Sequence, residues 1–257
     1  GNVTLGGGNA SGTGYAVDNN FTETQGSDAH QEGISMQALT ISSGAGNVSL
    51  MGKAYSGTST QKFAGGMWIG ALNITTTTGN ITIDGEVPST AAGYSGGYFG
   101  IYFNSGTVQS SSGGSITVTG LNQTTASSNN GLYGALLPTL STSGLVTING
   151  VDTSTTATAV VQISGTSITA GQLLLNGSGT YTLGNTGNSI TTLAATGTGN
   201  LQVINSAAMT VGTVGSTSGI SGGAGTVDIE TISGNLTISQ PVSTTNTGTS
   251  AIILVAS

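Results

Sequence analysis

Acidic side chains are few in this chain, and their spacing decides what chemistry they could perform. Asp84 and Glu86 stand two residues apart in ITIDGE, so both would lie on one face of a β-strand. A glycoside hydrolase requires such a pair of carboxyl groups. Sites that cleave acidic polysaccharides usually add cations, and the chain has only Lys53 and Lys62. We therefore expect no catalytic activity from this pair.

A second acidic group lies in residues 17–32, VDNNFTETQGSDAHQE, which also contain the only His. Asp18, Asp28 and Glu32, together with Glu23, offer the carboxylate oxygens that calcium prefers. Their spacing matches neither an EF-hand nor a glycine-rich calcium loop. A solvated loop is the favoured interpretation, and calcium binding by Asp18, Asp28 and Glu32 is the alternative. No other cofactor is expected.

Aromatic residues are concentrated between residues 55 and 133. Aligning the apolar stretches of this region places Trp68, Phe99 and Tyr133 in one column, which we call the aromatic strip. The residue before each of them would point inward, so the strip would face outward. Three interpretations stay open: long loops cover the strip, the strip packs laterally against another filament, or it stacks on the sugar rings of a glycan.

The composition favours an all-β protein. The chain has 257 residues, 45 of them Gly, with 35% hydrophobic and 4% charged residues. Its apolar runs are short, rich in β-branched residues and alternate with period two between Gly, Asn and Ser, which is typical of strands and turns. The absence of Cys excludes disulfides and thiolate metal sites. A net charge of −7 with two Lys predicts no nucleic-acid partner. No apolar run reaches the roughly 18 residues of a membrane helix.

A short motif recurs along the whole chain. It reads GNVTL at 1, GNVSL at 46, GNITI at 79, GSITV at 114, GLVTI at 144, GQLLL at 171, GNLQV at 199 and GTVDI at 225. Each repeat carries a second apolar stretch and no helical pattern. Such repeats predict a parallel β-solenoid of about eight coils in a single unit, since a propeller blade needs about 40 to 50 residues. The first coil is the longest, and its residues 6–32 are predicted to be an inserted loop.

The motif itself predicts which side chains form the core. The Gly–Asn pair is expected to turn the chain with a positive φ. The third and fifth residues of each motif are aliphatic and should point inward. They are Val3, Leu5, Val48, Leu50, Ile81, Ile83, Ile116, Val118, Val146, Ile148, Leu173, Leu175, Leu201, Val203, Val227 and Ile229.

The residues between these positions should form an outward ladder of hydroxyl groups in the first five coils. They are Thr4, Ser49, Thr82, Thr117 and Thr147. Lys53 and Glu86 both hold the eighth position of their coils, so we expect an ion pair one strand apart. The nine N-x-[ST] sequences are interpreted as turn residues rather than as glycosylation sites.

The two ends of the sequence also fit the repeat. AIILVAS followed by GNVTL has the same pattern as IGALNITTTT followed by GNITI. Neither end shows the polar cap that an open stack of strands usually needs. We therefore expect copies to stack end to end, with or without a peptide bond between them, the last coil of one on the first coil of the next. The stacking residues would be Val3, Leu5, Ile252, Ile253, Leu254 and Val255.

Several runs resemble a known family. GNITI, SGNLTIS and GTYTLGNTGNSITTLAATGTGNLQVINSAAMTVGTV are similar to the β-helical repeats of filamentous-haemagglutinin-like giant surface proteins of bacteria. The resemblance implies export, a right-handed parallel β-helix, and a role in adhesion, biofilm or cell-surface filaments. The expected function is that of a non-enzymatic structural repeat of an extracellular, cell-surface or secreted filament. The alternative is a carbohydrate- or surface-binding adhesin stalk that uses the aromatic strip.

Overall fold

A computed structural model describes residues 1–6, 14–17, 30–58, 63–125, 132–153 and 158–257. Within these ranges the regular structure consists of strands, and no helix is present, so the prediction of an all-β chain is confirmed. Accordingly, no helix among these residues is long and apolar enough to cross a membrane.

The strands of the described ranges are, in chain order, β1 (Val3–Leu5), β2 (Ala16–Val17), β3 (His30–Met36), β4 (Leu39–Gly44), β5 (Val48–Lys53), β6 (Phe63–Ile69), β7 (Leu72–Thr76), β8 (Ile81–Val87), β9 (Gly97–Phe103), β10 (Gly106–Ser110), β11 (Ile116–Asn122), β12 (Leu132–Leu137), β13 (Thr139–Asp152), β14 (Thr158–Gln162), β15 (Ile168–Asn176), β16 (Tyr181–Leu183), β17 (Ser189–Thr198), β18 (Leu201–Asn205), β19 (Met209–Val211), β20 (Thr213–Val214), β21 (Thr217–Ser218), β22 (Ile220–Gly222), β23 (Val227–Thr231), β24 (Leu236–Ile238), β25 (Val242–Ser243) and β26 (Ile252–Ala256). The strand β2 and the start of β3 fall inside the insertion predicted for residues 6–32, so that insertion is not a loop throughout.

Two long parallel sheets contain almost all of these strands. The first sheet has 15 strands, and its longest path runs β1-β5-β8-β11-β13-β15-β17-β19-β24. The second sheet has nine strands in the order β26-β23-β18-β16-β14-β12-β9-β6-β3. A second row of the first sheet, β4-β7-β10, joins the main path at the long strand β13. The chain passes repeatedly from one sheet to the other, so strands that are neighbours in a sheet are distant in sequence.

The core lies between the sheets and is built from columns of aliphatic side chains. Fourteen of the sixteen predicted core residues are at most 1% exposed, while Val3 and Leu5 in the edge strand β1 are half-buried. The side chains between them are less buried than their neighbours. The register also aligns Thr4, Ser49, Thr82, Thr117 and Thr147. The predicted inward and outward sides of these strands are therefore confirmed.

The alignment of the last two motifs needs correction. Leu201 and Val227 lie in the second sheet, in strands β18 and β23, rather than in the column of Val3. That column instead runs Val3, Val48, Ile81, Ile116, Val146, Leu173, Leu193, Val211 and Ile238. Its members after Leu173 follow at intervals of only 20, 18 and 27 residues. Strands of both sheets share the same alternation, so the pattern alone could not assign each motif to its sheet.

The glycine that opens each motif has a different role from the one expected. No motif glycine from Gly46 to Gly171 has a positive φ. A Cβ atom on Gly79 would instead overlap the carbonyl oxygen of Gly46, and one on Gly46 would overlap that of Gly1. Only Gly allows consecutive strands to approach so closely at this position. The positive φ belongs to a glycine just upstream, such as Gly44 or Gly113.

The asparagine of the motif joins one strand level to the next, a level being the set of strands that one turn of the chain adds to both sheets. The side-chain oxygen of Asn2 accepts the backbone N–H of Asn47 at 2.9 Å, and that of Asn47 accepts the N–H of Asn80 at 2.8 Å. The Asn80 oxygen then accepts the N–H of Ser115 at 2.9 Å. Three N-x-[ST] asparagines thus satisfy backbone donors of the following level, which supports their structural interpretation.

A contact between glycines divides the interior in two. On the first sheet Gly52, Gly85 and Gly120 align, and a Cβ on each would overlap the backbone of Gly66, Gly100 or Gly134 in the second sheet. We call this the glycine contact. On one side of it lies the main core. On the other lies a small separate cluster: Ala54, Ala64, Val87, Ala91, Tyr94 and Tyr98. The sheets can approach this closely only because neither presents a side chain.

Candidate functional site

The carboxylate pair forms part of a small polar cluster on the outer side of β8. The Lys53 Nζ atom lies 2.8 Å from Glu86 Oε1, and the two residues are register neighbours, as predicted. Tyr15, next to β2, donates a hydrogen bond of 2.7 Å to Asp84 Oδ2. The Lys53 ammonium lies 5.9 Å from the centre of the Tyr15 ring, within range of a cation–π contact. Both carboxylates therefore hold side chains of neighbouring segments in place.

Burial changes the ionisation of this cluster. Partial burial, with repulsion from Glu86, raises the pKa of Asp84 above its usual range, although the Tyr15 hydrogen bond partly opposes the shift. Burial and the neighbouring Asp84 raise the pKa of the Tyr15 hydroxyl as well. Asp84 Oδ1 has no hydrogen-bond partner within the described structure. Asp84 is consequently the group of this cluster that is most costly to keep ionised. Sequence analysis could not find the role of Tyr15, because this residue lies 69 positions from its hydrogen-bond acceptor.

Only one of the three calcium candidates lies in the described part of the chain. Asp18 and Asp28 lie outside the described residues, and Glu32 lies in β3 opposite Gly65 of β6. Within the described ranges, no three His, Cys, Asp or Glu side chains come together in a way that could hold a metal ion. Calcium binding by the first-coil carboxylates therefore stays a prediction.

The aromatic strip is not the column that the sequence predicted. Trp68 is the register neighbour of Tyr102, whereas Phe99 is the neighbour of Gly65 and of Tyr133. Phe99 is only 4% exposed. Its ring occupies the space that a Cβ on Gly65 would take and lies 5.4 Å from the Tyr102 ring, centre to centre. The predicted alignment of β6 with β9 was therefore wrong by three residues, since Trp68 pairs with Tyr102 rather than with Phe99.

The outward column of the second sheet therefore begins with Ser35, Trp68, Tyr102, Leu136 and Val161, and it continues through Thr182, Gln202, Asp228 and Ile253. Trp68, Tyr102, Leu136 and Val161 are half-buried, and each is flanked by buried residues of its strand. Tyr102 takes the place that Phe99 had in the predicted strip.

The predicted stacking residues lie at the two ends of the sheets. β1 is one edge of the main path of the first sheet, and β26 is one edge of the second sheet. Ile252, Ile253, Leu254 and Val255 are 39–41% exposed. Ile252 and Leu254 continue inward columns, whereas Ile253 pairs with the outward residue Asp228. The four residues thus belong to two different sides of β26.

Comparison of the chain with family models, curated proteins and solved structures finds no match.

Proposed function

We propose that the chain is a structural unit of an extracellular, cell-surface or secreted filament in which copies stack end to end. One observation carries this proposal: exposed apolar side chains are concentrated at the two ends of the sheets. Of the seven large hydrophobic residues that are exposed in the described structure, Leu39 lies at one end. The other six lie in the last two strand levels: Ile232, Ile238, Ile252, Ile253, Leu254 and Val255. Open strand edges with apolar surface favour pairing with further strands.

The register specifies how a second copy would fit. β26 of one copy would pair with β3 of the next, which places Ile252 against Ile34 and Leu254 against Met36 and continues both inward columns. In the first sheet, β24 and β25 would receive β1, with Ile238 against Val3 and Val242 against Leu5. The contact is head-to-tail, so each copy leaves an identical open edge and the assembly grows as an unbranched filament.

Pairing of one continuous strand with two short ones has a precedent inside the chain. Leu193 and Ala195 of the continuous strand β17 pair with Val211 of β19 and Ile220 of β22. Between those two short strands lies the antiparallel hairpin β20–β21. The same arrangement would allow β1 to cover both β24 and β25. An interruption in the last strand level is therefore no obstacle to stacking.

The number of coils and the handedness of the solenoid are part of the same proposal. The nine strands of the main path enclose eight chain passages, which supports a β-solenoid of about eight coils. The right-handed winding is what the family resemblance implies. The resemblance to filamentous-haemagglutinin-like surface proteins supports this winding, export from the cell and a role in surface filaments. We assign the chain no enzymatic activity, since Lys53 and Tyr15 engage the carboxylates of Glu86 and Asp84 in structural contacts.

Sedimentation velocity over a range of concentrations tests the stacking. The unmodified chain should form linear oligomers, visible as unbranched filaments by electron microscopy. Leu254→Lys places an ammonium group in an inward column and should leave monomers. Ile253→Lys is the matched control, because its side chain would lie outward beside Asp228 and should not prevent assembly.

Two results would contradict this proposal. A chain that stays monomeric at high concentration excludes non-covalent stacking. Equal loss of assembly in both lysine variants shows that the inward side of β26 is not the contact surface.

A further inference from the structure

We propose that the outer face of the second sheet binds a neutral glycan across Trp68 and Tyr102, with the amide side chains of Gln37 and Asn104 along its edge. The inference goes beyond the filament function and does not depend on it. It rests on two aromatic side chains that are register neighbours on the outer face, two exposed amide side chains at the adjoining strand ends, and the absence of charge among these four residues.

Neighbouring rings pack against one member of this aromatic pair. Trp68 and Tyr102 are register neighbours in β6 and β9, so the backbones that carry them lie about 4.8 Å apart, the usual spacing of paired strands. The Phe99 ring supports Tyr102 at 5.4 Å, and Phe63 lies 6.4 Å from Phe99. A Tyr102 ring packed in this way loses little conformational entropy when a ligand covers it. The apolar face of a pyranose ring is the natural partner of such a surface.

The polar row lies just beyond the ends of these strands. Gln37 follows β3 and Asn104 follows β9, each two residues after a member of the outward column, and both are exposed. Gly70 holds the position between them, and a Cβ there would lie 2.8 Å from Gln37 Oε1. The glutamine amide thus extends over Gly70, beside Trp68. Amides donate and accept hydrogen bonds and so match the hydroxyl groups of a sugar.

The charge distribution selects the class of ligand. Ser35, Gln37, Trp68, Tyr102 and Asn104 are all uncharged, and the whole chain carries a net charge of −7. An acidic polysaccharide would find no cation among these five residues and would be repelled by the chain as a whole. A neutral glycan avoids both penalties. Leu136 and Val161 extend the column in the stacking direction, so a chain of sugar rings would run along the sheet, across successive strands.

Fluorescence offers a direct test, because Trp68 is the only Trp. The full chain would be titrated with hexasaccharides of β-1,4-glucose, α-1,4-glucose, β-1,4-mannose and β-1,4-N-acetylglucosamine, and with an acidic oligogalacturonate. At least one neutral probe should change the Trp68 emission in a saturable way, and the acidic probe should not. Tyr102→Ala should weaken that binding about tenfold, the equivalent of one lost aromatic stacking contact. Asn104→Ala should weaken it severalfold.

Asn73→Ala is the matched control, since Asn73 is equally exposed but lies in β7 of the first sheet. It should leave the affinity unchanged. The proposal is wrong if no neutral probe alters the emission at millimolar concentration, or if Asn73→Ala weakens binding as much as Asn104→Ala. It is also wrong if no probe binds and Tyr102→Ala instead abolishes self-association in sedimentation, because the face would then be a protein-packing surface.

Discussion

Thr147 and Ile148 are adjacent in β13 and face opposite sides of the first sheet. Ile148 is fully buried between Val118 and Leu175, whereas Thr147 is half-buried between Thr117 and Leu174. The interior around Ile148 is aliphatic, so a charge placed there would lose its hydration without gaining a partner. Two neighbouring positions of one strand thus differ in whether they tolerate a charged side chain, because successive residues of a strand face opposite sides of the sheet.

We expect Ile148→Asp to destabilise the chain by more than about 4 kcal/mol, the range reached by unpaired buried charges. Thr147→Asp should cost less than about 1 kcal/mol, since its side chain reaches water. Urea unfolding followed by circular dichroism measures both values. Similar losses in the two variants would mean that the assignment of inward and outward sides is wrong.

Asp84 makes stability depend on pH in an unusual direction for a carboxylate. Its pKa is raised in the folded chain, chiefly by burial, so the folded state binds a proton more tightly than the unfolded state does. The stabilisation from this proton is complete below the unfolded pKa and is lost as the pH rises through the folded pKa.

Asp84→Asn should therefore be more stable than the unmodified chain at neutral pH, and this advantage should disappear in acid. Asparagine keeps an oxygen that can accept the Tyr15 hydroxyl proton and removes the buried charge. Thermal melts between pH 3 and pH 8 measure the difference. If the variant is less stable at pH 7, the contact with Tyr15 requires the charge, and the burial of Asp84 is not its dominant cost.

At the scale of strands and sheets, the glycine contact decides how the two sheets meet. Gly85 lies between Gly52 and Gly120 in register, directly against the backbone of Gly100 in β9. A side chain at this point would push the sheets apart and open both the main core and the small cluster around Tyr98. Close packing of the main core and of the small cluster therefore depends on the absence of a Cβ atom at these positions.

Gly85→Ala should lower the free energy of unfolding by about 2 to 4 kcal/mol, because its Cβ would overlap a carbonyl group that cannot move independently. Gly187→Ala serves as the control. Its φ is not positive and its Cβ would meet only Ser167 at an ordinary 3.6 Å, so we expect little change. Chemical denaturation compares the two variants. An equal loss of stability in both variants would show that overlap with Gly100 is not the cause.

The sequence was informative about strands and less so about how they align. The motif predicted the inward residues, the hydroxyl ladder and the pair Lys53–Glu86, because alternation and repeat position determine them locally. It misplaced Leu201 and Val227, since the chain passages shorten to 20 and 18 residues near that end. It also aligned Trp68 with Phe99, although the pairing of β6 with β9 places Trp68 beside Tyr102, three residues further along. Both errors arise from contacts between distant segments, which a local pattern does not contain.

For the molecule as a whole, register is conserved while the length of each chain passage changes. Val48, Ile81 and Ile116 occupy one column although 33 and 35 residues separate them. The intervening turns and loops absorb the difference. Each strand level contacts mainly its two neighbours, so the structure behaves as a one-dimensional array.

Removal of one complete level should therefore leave a folded chain. Deleting residues 81–115 joins Asn80 to Ile116, which would pair Ile116 with Val48 and Leu140 with Ile74 in the existing register. We expect a cooperative melt at a moderately lower temperature and an unchanged circular dichroism spectrum per residue. Deleting residues 81–102 instead removes an incomplete level and should prevent folding. A chain that unfolds after the first deletion would show that the levels are not interchangeable.

The unequal chain passages have a mechanical consequence. Hydrogen bonds between parallel strands point along the direction in which the levels are stacked, so a pulling force applied at the two ends loads one level at a time. The chain would lengthen in discrete steps rather than break at once. Passages of 45 residues near the beginning and 18 near the end would release roughly 150 Å and 60 Å respectively, at about 3.4 Å per extended residue. Such a chain is a tether whose successive extensions differ in length from one end to the other.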